Sequence, residues 1–223
     1  MLQIAIQHHQ ARRLAQAEAL YREILARDPE CVDALHLLGV IAHQVGRHAV
    51  AVELIGRAIE LAPLNATFHA NLGEAYRHLR RFDDAVASLK RALVLQPEFP
   101  SALNNLGNAF MACGLPNEAA AAFQDAIKLQ PGFANAHYNL GILMKSQGRI
   151  DEATACFRHS IVLQPDFAEA HNNLGNLFMD QNRLADAVGC FRQAVAANPD
   201  HPEFQNNLGN ALRAQGRPAE ALG

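Results

Sequence analysis

The chain has 223 residues, half of them apolar and 18% charged, a balance that allows a sizeable core and excludes a disordered polymer. Nineteen Lys and Arg against 22 Asp and Glu leave a formal charge of −3, so no basic footprint points to nucleic acid or to an acidic membrane surface. With no Trp, three Tyr and abundant Ala and Leu, the chain reads as all-α rather than as a β-sandwich.

Met1 falls inside the first helix of an incomplete leading unit, whose second helix is expected from Ala15 to Ala26. Gln3, Gln7, His8 and His9 interrupt the apolar residues of this opening, unlike a signal peptide, and no stretch approaches the length of a membrane span. The chain is expected to be cytoplasmic. From there Leu-Gly recurs at Leu38-Gly39, Leu72-Gly73, Leu106-Gly107, Leu140-Gly141, Leu174-Gly175 and Leu208-Gly209, each step being 34 residues. Ala17, Ala51, Ala85, Ala119, Ala153, Ala187 and Ala221 keep the same period, as do Pro29, Pro63, Pro97, Pro131, Pro165 and Pro199. A fixed period of this size means stacked supersecondary units. The expected organisation is a single array over 1–223: a partial leading repeat at 1–31, full repeats at 32–65, 66–99, 100–133, 134–167 and 168–201, and a partial trailing repeat at 202–223.

Each unit reads as two amphipathic helices joined by a tight turn. In 66–99, His69, Leu72, Gly73 and Tyr76 form the packing stripe of a first helix expected from about Thr67 to Leu79. Gly46, Gly114, Gly148, Gly216 and Asn182 mark the turns, being residues that tolerate left-handed backbone, and Arg80 breaks this pattern. Acidic pairs such as Asp83-Asp84 and Asp151-Glu152 open the second helix, where negative charge suits the helix dipole, and Pro97 or its equivalent stops it. Gly73 and Ala85 leave room for the two helices to cross closely. Tyr21, Ile55, Leu89, Phe123, Phe157 and Phe191 are the large residues that fill the complementary places.

The chain is cut inside a helix pair, with Gly223 expected within the second helix of the trailing unit. Leu208, Leu212 and Leu222 are expected to have little to cover them, so the chain is read as a fragment of a longer protein or as covered by another copy.

The spacing of Leu106, Gly107, Phe110, Ala119, Phe123, Ala126 and Pro131 resembles the tetratricopeptide repeat signature, over virtually the whole chain. The early aromatic of that family is replaced by Leu35, His69, Leu103, His137, His171 or Gln205. The resemblance implies a right-handed α-α superhelix whose first helices line a concave groove, and an interaction module rather than any single activity. The residues two before and one after each Leu-Gly glycine lie opposite the packing stripe, and so face that groove. Two before the glycine stand Leu37, Asn71, Asn105, Asn139, Asn173 and Asn207; one after it, Asn108, Asn176 and Asn210 join Val40, Glu74 and Ile142.

A neutral amide offers both a donor and an acceptor, so it can pair with one peptide unit of an extended ligand whatever its side chains, without the desolvation cost of a charge. The competing reading is that these amides bond to the next helix or are solvated. The ladder, with its NNLGN segments at Asn104–Asn108, Asn172–Asn176 and Asn206–Asn210, resembles that of O-linked N-acetylglucosamine transferases and their bacterial SPINDLY-like relatives. That resemblance implies asparagines holding the backbone of protein substrates; no residue here resembles the catalytic domain of that family. Arg77 and Lys145 also face the groove, but the charges of the face nearly cancel, unlike those of the carboxylate-clamp subclass.

No catalysis is expected, since no nucleophile motif, HExxH or phosphate loop is present. No cofactor or metal is signalled: Cys31, Cys113, Cys156 and Cys190 lack ligand spacing, and Cys156 and Cys190 read as small buried residues. His137 and His171 read as core or boundary residues. The expected function is a noncatalytic scaffold that binds extended protein segments, as the recognition array of a larger glycosyltransferase. The alternative is a structural module that joins copies or subunits.

Overall fold

The computed structural model describes residues 1–217. Among these residues there are thirteen α-helices and no strand, in the all-α repeat fold expected from the period. Contacts divide the chain into two units, residues 1–122 and 123–223, with the division inside α8 (Pro116–Leu129).

The first unit contains α1 (Leu2–Gln10), α2 (Leu14–Arg27), α3 (Val32–Gln44), α4 (His48–Leu61), α5 (Ala66–His78), α6 (Phe82–Leu95) and α7 (Pro100–Ala112). Its core is a succession of three-helix clusters, each made by one helix pair and the first helix of the next pair. Ala5, Ala17, Tyr21, Ala34, Leu38 and Ile41 form one. Leu35, Ile55, Ala58, Phe68 and Leu72 belong to the next, and Ala70, Leu89, Ala92, Ala102 and Leu106 to a third. The second unit contains α9 (Ala134–Ser146), α10 (Ile150–Leu163), α11 (Ala168–Asp180), α12 (Leu184–Ala197) and α13 (Pro202–Ala214), with Phe157 and Phe191 buried in corresponding places.

The glycines of the Leu-Gly pairs are fixed by the helix crossing. A Cβ built on Gly39 or Gly73 would stand 2.6 Å from Ile55 Cγ1 or Leu89 Cγ, and one on Gly141 or Gly175 would stand 2.7 or 2.6 Å from the ring of Phe157 or Phe191. Real Cβ atoms do not approach so closely, so the small residue on the first helix and the large one on the second are a matched pair.

The turns close alike whatever residue occupies them. Gly46, Gly114, Gly148 and Gly216 have φ between 72° and 80°; Asn182 and Arg80 take φ of 56° and 60°. Arg80 thus adopts the conformation that its side chain disfavours, because the backbone bond spanning the turn, from Arg81 N–H to Tyr76 C=O at 3.0 Å, still forms. The next arginine caps the turn from outside: Arg81 pairs with Asp84 at 2.7 Å and lies 4.4 Å from the centre of the Tyr76 ring, and Arg183 repeats this with Asp186 and Phe178. The acidic residues opening the second helices therefore meet an arginine as well as a helix dipole.

The helix bounds fall within a residue of expectation, α5 running Ala66–His78 and α2 Leu14–Arg27, and α6 stops at Leu95 ahead of Pro97. The expectation of an uncovered end needs correction at two of its residues: Leu212 is buried and Leu208 half-buried. Ala221, Leu222 and Gly223 lie outside the described residues. No helix among the described residues is long and apolar enough to cross a membrane.

Two substitutions at these features act with opposite sign. Gly175→Ala forces the Phe191 ring to move and is expected to destabilise by about 1–3 kcal/mol, read as a lowered urea midpoint. Arg80→Gly removes the left-handed strain and is expected to raise the midpoint, by about 0.5–1 kcal/mol after the extra entropy of glycine is counted.

Candidate functional site

Every asparagine two before a Leu-Gly glycine, namely Asn71, Asn105, Asn139, Asn173 and Asn207, is half-buried on a first helix. The 34-residue spacing alone does not give their hydrogen bonds, which run between residues 35 apart. Asn71 Nδ2 donates to His36 Nε2 at 2.8 Å, Asn173 Nδ2 to the Tyr138 hydroxyl at 3.0 Å, and Asn207 Nδ2 to Asn172 Oδ1 at 2.9 Å. Each rung thus joins an asparagine to the residue three before the glycine of the preceding repeat. Where that residue is Ala70 there is nothing to accept, and Asn105 instead accepts a long bond of 3.4 Å from Asn104.

The polarity of two rungs is pinned by groups that can only accept. Asn173 Nδ2 also donates to the Glu169 backbone carbonyl at 3.1 Å. Asn172 Nδ2 faces Glu203 Oε1 at 3.4 Å, which turns Asn172 Oδ1 towards Asn207. In the first unit the acceptor is an imidazole: burial pushes His36 down to about 4, outweighing the opposite pull of Asp33, so the ring is neutral near pH 7 and can accept from Asn71. Both Nδ2 hydrogens of Asn173 are therefore used within the protein, and one each of Asn71 and Asn207. Their Oδ1 atoms accept no bond from a described residue, and are not among the buried polar atoms that lack a partner, so they reach solvent.

The second file behaves differently. Asn108 and Asn176 are half-buried, and no hydrogen bond joins their side chains to a described residue. Asn210 is exposed and accepts from Arg213 at 2.6 Å. Arg77 is tied to Glu74 of its own helix by bonds of 3.2 and 3.0 Å, whereas Lys145, in the last turn of α9, is half-buried without an ion pair among the described residues.

At the start of the first unit both files turn apolar, and this has a structural counterpart. Leu37 and Val40 line an open cleft of about 810 Å³ with Ile6, His9, Tyr21 and Gln44. The Tyr21 hydroxyl is buried and has no hydrogen-bond partner among the described residues. Sequence reasoning missed the cleft, although the two adjacent departures from asparagine were its visible sign.

The recurrent histidines serve the fold. His69, His137 and His171 each donate from Nε2 to the carbonyl of Pro63, Pro131 or Pro165 at 2.9 Å, and Gln205 does the same to Pro199 at 2.6 Å. A donor thus stands where the aromatic was expected, holding a carbonyl of the loop before its own helix. Cys156 and Cys190 are half-buried rather than fully buried, since they flank the crossing instead of filling it. Burial pushes both thiols up, Cys190 to about 11, which keeps them protonated and weakly nucleophilic.

Comparison with known proteins agrees with this architecture. The family model described as "Tetratricopeptide repeat" matches residues 2–66, 44–102, 70–132, 104–158 and 172–223, and one described as "TPR repeat" matches 144–181. No curated protein matches the chain significantly. Among solved structures, the APC/C hetero-tetramer Cut9-Hcn1 is similar with a TM-score of 0.84 at 19% identity, over 95% of this chain and 42% of that one. This chain therefore spans less than half the length of that protein. TTC0263, a thermophilic TPR protein in Thermus thermophilus, gives 0.73 at 22% identity, over 82% of this chain and 100% of that one. YrrB, a TPR protein with an unusual peptide-binding site, gives 0.57 at 21% identity, over 88% and 97%. At these identities the likeness is one of fold.

The His36 rung makes stability sensitive to acid. Because the folded protein holds this imidazole well below its ordinary value, stability is full above about pH 6.5 and is lost as the pH falls towards 4, by up to about 3 kcal/mol. His36→Gln keeps an acceptor for Asn71 and does not titrate. Urea unfolding is expected to show a smaller drop for this variant than for wild type between about pH 7 and pH 4.5.

Proposed function

The chain belongs to the tetratricopeptide repeat family, and from that premise we propose that it is a noncatalytic scaffold whose first-helix face holds extended protein segments by their backbones. The observation that carries this reading is the unspent hydrogen-bonding capacity of half-buried amides: solvent-reaching Oδ1 atoms on Asn71, Asn173 and Asn207, and side chains without a protein partner on Asn108 and Asn176. An Oδ1 whose own Nδ2 is anchored is a fixed acceptor for a ligand N–H, so little side-chain entropy is lost on binding. Asn108 and Asn176 offer donor and acceptor together, the complement of one peptide unit.

Asn105, Asn139 and Asn207 extend the same file, and Asn210, Arg77 and Lys145 border it. Arg77, already held by Glu74, is the weaker of the two cationic candidates. In the first unit, the cleft beside Leu37 and Val40 suits an apolar ligand side chain. The finer reading is that such a face recognises the protein substrates of a glycosyltransferase whose catalytic part lies in other sequence. The asparagine ladder supports this, since backbone capture gives the breadth of sequence that such an enzyme requires.

A peptide array tests the proposal. Replacing Asn173 and Asn176 by Ala together is expected to weaken binding roughly tenfold across many unrelated sequences, as the loss of one or two hydrogen bonds predicts. A module that only joins copies predicts unchanged array binding and a mass that rises with concentration; that pair of results would overturn peptide capture.

A further inference from the structure

At the edge of the amide files, the first unit gathers three histidines from three helices. His43 lies in the last turn of α3, His48 opens α4 and His78 ends α5. Their ring centres are 4.9 Å apart for His43 and His48, 4.9 Å for His43 and His78, and 4.6 Å for His48 and His78. Glu74, one helical turn before His78, joins them. One ligand atom each from His43, Glu74 and His78 lies within 4.8 Å of the others, and His48 Nδ1 stands 3.2 Å from His43 Nδ1.

We propose that His43, His78 and Glu74, with His48 as a fourth ligand, form a binding site for a divalent transition-metal ion of the zinc class. Imidazole nitrogens with one carboxylate are a donor set that suits Zn²⁺, Ni²⁺ and Co²⁺ and is poor for Mg²⁺ or Ca²⁺, which prefer all-oxygen shells. Metal–nitrogen bonds of about 2.0–2.1 Å in a tetrahedron put neighbouring ligand atoms roughly 3.3 Å apart. The His43–His48 separation has this value already, whereas the ligand atoms of His43, Glu74 and His78 stand within 4.8 Å of one another, so binding requires these half-buried or exposed side chains to rotate inward.

Arg77 is the local opponent. Its guanidinium holds Glu74 and lies 3.0 Å from His78 Nε2, so an arriving cation displaces it from both. The ion would join the repeats at 32–65 and 66–99 within the first unit, at the end of the stripe on α5 that carries Asn71, Glu74 and His78.

The test uses the untagged full chain freed of metal, with Zn²⁺ measured by competition against a chromophoric chelator and Co²⁺ by its visible absorption. One ion per chain is expected, with a Co²⁺ band of tetrahedral intensity and a melting temperature that rises with zinc. His43→Gln with His78→Gln is expected to weaken zinc by at least about tenfold and to abolish the thermal shift. Circular dichroism checks that the variant keeps its helix. Arg77→Gln is expected to tighten binding, by about two- to tenfold, by removing a competing charge. His159→Gln, at a histidine of the second unit, is expected to change nothing. Zinc affinity unaltered in the double histidine variant, or no uptake by wild type at micromolar zinc, would overturn the proposal.

Discussion

One helix pair of this protein cannot bury its own apolar face, and the way that face is completed governs the rest. The glycine of each Leu-Gly pair lets the second helix lie against the first, with Ile55, Leu89, Phe157 or Phe191 occupying the space a Cβ would need. That large side chain is then roofed by the first helix of the following pair, as the cluster joining Leu35, Ile55 and Phe68 shows. Stability in such an arrangement is a sum of nearest-neighbour terms. The close crossing is what holds consecutive first helices side by side, and their exposed faces acquire rows of side chains as a result.

These rows are out of step with the repeat by one residue. Asn71 meets His36, Asn173 meets Tyr138 and Asn207 meets Asn172, all at a separation of 35, while His9 meets Gln44 at 3.1 Å and His43 meets His78 at the same offset. The chemistry of a rung is therefore set by two repeats together, an asparagine from one and an imidazole, phenol or amide from the one before.

This offset separates what was legible in the sequence from what was not. The fold, the turns and the helix bounds follow from features local to one unit: the Leu-Gly glycines, the residues at Gly46 or Asn182, and Pro97 after α6. Arg80 shows that the backbone closes the turn even where residue preference opposes it. The position of the asparagines on the first helices was also readable. Their hydrogen-bond polarity was not, because it depends on the Glu169 carbonyl or the Glu203 carboxylate rather than on the asparagine alone. The histidine cluster escaped for the same reason: His43, His48 and His78 occupy three different places in their repeats, and a comparison made at equal positions never sets them beside one another.

The shared rung also constrains how such a chain can be rearranged. A unit cut at the 34-residue boundary and moved elsewhere carries an amide without its former acceptor, and an acceptor without its former amide. Asn105 facing Ala70 is the natural instance of such a mismatch, its amide turning to a neighbour on its own helix instead. Exchange of modules that keeps the cross-helix bonds has to transplant the residue three before the preceding glycine as well, so the inheritable cassette of this surface straddles the boundary that defines the fold.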